Sequence, residues 1–73
     1  MIDNIKNMWG RMLQETKHEA VQILMDEYDH SKVAIKQNWI YQGMIPEEKQ
    51  PRVVEIFQNL LVQQEKKTKK LIS

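Results

Sequence analysis

Seventy-three residues hold one domain at most, and a chain of this size buries only about 60% of its unfolded surface. There is no cysteine, and His18 and His30 have no partner at zinc-ligand spacing, so a disulfide framework is excluded, no structural metal is expected and dimerisation is the expected support. The formal charge is only +1, but residues 1–30 carry a net −3 and residues 31–73 a net +4, a split that sets an acidic end against one suited to phosphate.

The opening Met-Ile-Asp-Asn-Ile-Lys has neither a basic start nor an apolar run of about 7–15 residues, so no signal peptide is expected. No window approaches the ~20 apolar residues of a membrane span. Both features predict a soluble, cytoplasmic protein.

Helical spacing dominates the chain. Ile2, Ile5, Met8, Trp9, Met12 and Leu13 recur in steps of three and four, which predicts a first amphipathic helix. Gly10 weakens it by about 1 kcal/mol relative to alanine. Thr16-Lys17-His18-Glu19 has the form of a capping box, in which hydroxyl and carboxylate each take a free backbone N–H. A second helix follows, with Ala20, Val21, Leu24, Met25 and Tyr28 on one side, or the first runs on without a break.

Asp29-His30-Ser31 is a turn sequence, with Ser31 able to cap what comes next. A third helix is predicted over roughly 32–42, ended by Gly43 in the left-handed conformation. Pro46 opens a new turn, and Pro51 suits the first turn of the last helix. Val53, Val54, Ile56, Phe57, Leu60 and Leu61 form that helix's apolar stripe, and its lysine-rich end, 66–73, is expected to fray beyond Gln64.

At 100° per residue, Val33, Ile35, Trp39 and Ile40 spread over one broad side of the third helix, with Lys36 in its midst. Ser31, Ala34, Gln37, Asn38 and Tyr41 fall on the other. Glutamine and asparagine side chains can each read adenine through two hydrogen bonds, and alanine can touch a thymine methyl. Tyrosine, serine or lysine can meet a phosphate. The helix contains lysines and no acid that would repel phosphates.

Residues 39–46, with their Trp-x-x-x-Gly-x-Ile-Pro string, resemble the end of the recognition helix in Cro-like phage repressors and related small helix-turn-helix proteins, and the likeness extends over about residues 31–57. The chain departs from that family's pattern at His30, where the turn takes a small residue, at Asp26, where it takes alanine, and at Lys36, where it takes an apolar residue. The resemblance implies an all-α fold of four or five helices, a single Cro/repressor-like helix-turn-helix domain over 1–73. It also implies a bacterial cytoplasmic transcription regulator that binds double-stranded DNA as a homodimer on a palindromic operator. Carried over by position, the DNA-binding candidates are Ser31, Lys32, Ala34, Lys36, Gln37, Asn38 and Tyr41, with Arg52 near the start of the last helix meeting phosphate. Trp39 would be structural.

The sequence predicts no catalytic residue, no cofactor, no metal and no small-molecule substrate. It holds no glycine-rich phosphate loop and no thiol, and His18-Glu19 lacks the second histidine of a metalloprotease. Asp26-Glu27 and Glu47-Glu48 are adjacent pairs that point apart, and so make no acid/base dyad. The rival class is a small protein-interaction module, an anti-repressor or an inhibitor of a host protein, that uses the same helices. The dimer contact is expected at Ile2, Ile5 and Trp9, or at Leu60, Leu61 and Val62.

Overall fold

A computed structural model describes the backbone of residues 2–72 and the side chains of residues 2–67. Four helices follow one another with no strand among the described residues: α1 (Ile2–Arg11), α2 (Gln14–Tyr28), a π-helix (Ala34–Tyr41) and α3 (Gln50–Ile72), the last preceded by a single 3₁₀ turn at Glu47–Lys49. The chain is therefore all-α, as predicted. No helix of the described residues is long and apolar enough to cross a membrane.

The core follows from two stripes at helical spacing. Ile5, Met8, Trp9 and Met12 of α1 face Val53, Ile56, Phe57, Leu60 and Leu61 of α3, all buried. Ala20, Val21 and Leu24 of α2 and Ile35, Trp39 and Ile40 of the π-helix complete one continuous cluster, with Val54 packed against it. Phe57 is fully buried at the centre, its ring 6.2 Å from that of Trp9.

Gly10 does not interrupt α1. The break falls at Met12 and Leu13, where Leu13 is extended (φ −73°, ψ 163°) and α2 begins at Gln14. The predicted capping box is not formed: Thr16 lies inside α2, buried, two residues past its start. Leucine has no side-chain acceptor, and the corner is closed instead from α3. The Gln64 side-chain oxygen accepts the Leu13 N–H at 2.8 Å, while its amide nitrogen donates to the Arg11 carbonyl at 3.1 Å. One side chain thus satisfies backbone groups at the end of one helix and the start of the next.

The second turn is local in origin. Asp29 ends α2 in the left-handed region (φ 53°), and the Ser31 hydroxyl accepts the Ala34 N–H at 3.2 Å, the cap predicted for it. Beyond it the helix is wound wider than expected, with i→i+5 bonding; the Gln42 N–H still donates to the Gln37 carbonyl at 3.1 Å. This winding corrects the projection at 100° per residue. Ile35, Trp39 and Ile40, spaced four and five apart, all face the core, and Val33 is turned out, 69% exposed.

Gly43 adopts φ +70°, the conformation that its place after the helix predicts. A Cβ there would lie 3.1 Å from Ile2 Cγ2 and 3.2 Å from Lys6 Cε. Both neighbours are side-chain ends, so the backbone penalty dominates. Gly43→Ala is expected to destabilise the fold by about 1–2 kcal/mol, and Gly43→Asn by less, because asparagine tolerates this region. Urea midpoints of the two variants check the ranking; equal midpoints would contradict it.

The Gln50 side chain donates to the Ile45 carbonyl at 2.8 Å, and α3 starts at Gln50 with Pro51 in its first turn, as predicted. The helix continues to Ile72 where fraying beyond Gln64 is predicted; side chains from residue 68 onward lie outside the described residues. The two patches expected to mediate dimerisation are not available. Ile5, Trp9, Leu60 and Leu61 are consumed by the monomer's own core and Ile2 is partly buried, which leaves Val62 as the one member of either set that is exposed.

Candidate nucleic-acid interface

The π-helix is held by its inner side. Trp39 sits with its ring 5.2 Å from Tyr28 and 5.3 Å from His30, and the Lys49 ammonium lies 5.8 Å above it and 5.1 Å above Tyr28. With Ile35 and Ile40 it anchors the segment against α1 and α2 and fixes which side faces out. Trp39 is structural, as the sequence implies.

On the outer side Lys32, Gln37, Asn38 and Tyr41 are exposed, and Ala34 and Lys36 are half-buried. Neither Gln37 nor Asn38 uses its side-chain amide in a hydrogen bond within the chain. The carbonyl of Asn38 accepts the Met44 N–H at 2.8 Å, which ties the exit loop to the helix rather than occupying the side chain. No acidic residue occurs between His30 and Pro46. Ser31 is exposed but spends its hydroxyl on the helix cap.

Arg52 differs from the other seven candidates. Its guanidinium donates to both carboxylate oxygens of Glu27, at 3.0–3.2 Å, and to Glu55 at 2.8 Å, tying the end of α2 to the start of α3. The Arg52 guanidinium holds the Glu27 carboxyl below the usual carboxylate range, and burial pushes the neighbouring Tyr28 hydroxyl up. With two carboxylates already matched to it, Arg52 has little charge to offer a phosphate.

Two residues not nominated from the sequence join the outer side. Lys17 and His18 of α2 line a pocket of about 290 Å³ together with Lys32, Lys36 and Tyr41, over a floor that includes Trp9 and Val21. The Lys17 ammonium lies 5.5 Å above the Trp9 ring. Lys17 belongs to the net-acidic first half of the chain, so the linear charge split concealed a lysine that the fold delivers to the basic side. Among the described residues no group of three or more histidine, cysteine or acidic side chains is arranged to hold a metal.

Comparison with protein-family models, with curated proteins and with solved structures finds no match for this chain.

Proposed function

We propose that the chain is a sequence-specific DNA-binding transcription regulator of the Cro type, in which the π-helical segment enters the major groove. The observation that carries the reading is the pair Gln37 and Asn38. Both are exposed, both have uncommitted amides, and both stand on a segment whose opposite side is locked into the core and whose length carries no acid. A short helix covers only a few base pairs, so two copies related by a two-fold axis would read a palindrome with half-sites about one helical turn apart.

The test is binding to duplexes from the control region beside the gene, followed by fluorescence anisotropy at two salt concentrations. Gln37→Ala or Asn38→Ala should each weaken the cognate site by about 1–3 kcal/mol and leave random DNA nearly unaffected. Lys32→Gln should weaken all DNA alike and flatten the salt dependence by about one unit. Cognate binding that survives both amide substitutions, or no preference over random sequence, sinks the reading.

One observation favours the protein-interaction alternative. Val33, Tyr41 and Met44, on or beside the same segment, are 69%, 57% and 65% exposed. If no duplex binds, this apolar side chain set makes the segment a surface for another protein.

A further inference from the structure

We infer that the pocket between the α1–α2 corner and the π-helix is a phosphate-binding site, formed by Lys17, Lys32 and Lys36 with Tyr41, His18 and Gln14 at its wall. Three lysines line one concavity, and no carboxylate lines it. None of the three forms an ion pair with a described acidic group, although the chain has ten of them and elsewhere pairs Arg11 with Glu65 and Arg52 with Glu27 and Glu55. With no counter-charge in the lining, an oxyanion brought from outside meets three cationic side chains and no carboxylate.

The remaining wall suits a phosphate group rather than a carboxylic metabolite of drug size. The volume, about 290 Å³, falls just below the usual ~300–1,000 Å³ of small-molecule sites. Tyrosine hydroxyl, glutamine amide and imidazole N–H groups add further donors to the three ammonium groups, and an oxyanion with several acceptor oxygens can use them together. Lys17 and Lys36 are half-buried, which holds their stems against the wall of the pocket, and Lys17 is steadied over Trp9. The inference rests on this pocket and not on the reading of Gln37 and Asn38. The phosphate can belong to a nucleic-acid backbone or to a free phosphorylated compound.

Inorganic phosphate titrated into the labelled protein, followed by amide chemical shifts, tests the site. Saturable shifts are expected at residues 14–18 and 32–41. Lys17→Gln and Lys36→Gln should each weaken the binding at least about tenfold, the factor that goes with losing one charge-assisted hydrogen bond. Lys66→Gln, which removes equal charge from an exposed position of α3, should leave it unchanged. Circular dichroism of each variant confirms that it is folded. Absent or non-saturating shifts, or equal effects of all three substitutions, overturn the inference whatever the protein does with DNA.

A short random-sequence duplex then identifies the source of the phosphate. If it displaces inorganic phosphate from these residues, the site holds the DNA backbone. If phosphate binds through Lys17 and Lys36 while the duplex leaves the shifts unmoved, the site stands for a free phosphorylated ligand, and the DNA reading is decided separately by the Gln37 and Asn38 variants.

Discussion

Phe57→Ala is expected to unfold a large part of the population at physiological temperature. The side chain is fully buried and lies between α1 and α3, against Trp9, so truncation leaves a cavity that four helices cannot close together. Such changes cost about 3–5 kcal/mol. A chain of this length has a total stability of roughly 4–11 kcal/mol, so between about a quarter and all of it is lost. The melting temperature should fall by more than about 12 °C, as read by far-UV circular dichroism. Phe57→Leu, which keeps most of the volume, should recover the greater part. A Phe57→Ala variant that melts like the parent would show that the α1–α3 contact is not the centre of the core.

Trp39→Ala should cost a similar amount, about 3–5 kcal/mol, with a different local consequence. This ring is what the end of α2, the Asp29–Ser31 turn and the 3₁₀ turn share, through Tyr28, His30 and Lys49. Its loss releases the π-helix from its anchor before it disturbs the α1–α3 pairing. Hydrogen exchange at low temperature should therefore show residues 32–42 unprotected while residues 53–61 remain protected. Trp39→Phe should restore protection to both. Uniform loss of protection in Trp39→Ala would mean that the segment is not a separately anchored unit. Fluorescence separates the two sites, because Trp9 remains as a reporter in this variant.

The elements legible in the sequence are those fixed by neighbours close in the chain. The stripes of α1 and α3 are read from steps of three and four, the turn at Asp29 and the Ser31 cap from the preferences of short polar side chains, and the exit from the π-helix from Gly43 and Pro46. Each depends on atoms a few residues apart. What was not legible depends on distant partners. The Thr16 capping box is a local motif that loses to the Gln64 side chain, which accepts the Leu13 N–H from fifty-one residues further along the chain and for which no local pattern exists. Periodicity places Val33 inward because it assumes one winding, and the packing of Ile35, Trp39 and Ile40 selects another. Lys17 was invisible as part of the basic side for the same reason: its neighbours Lys32 and Lys36 are brought to it by the fold of α2 on the π-helix, not by sequence proximity. Arg52 could be placed near the start of α3 but not paired, because its acid partner Glu27 sits on a different helix.

The wide winding of residues 34–41 also loosens the link between chain length and architecture. Two fixed points bracket this segment, the Ser31 cap at one end and the left-handed Gly43 at the other, and an i→i+5 turn takes up more residues than an α-turn while advancing the chain no further. A lineage can gain or lose a residue here by rewinding between the two forms, keeping Trp39 and Gly43 at their posts while the outward side chains rotate. The outward surface can in this way be re-aimed by a single codon's insertion or deletion, with the anchoring tryptophan and glycine kept.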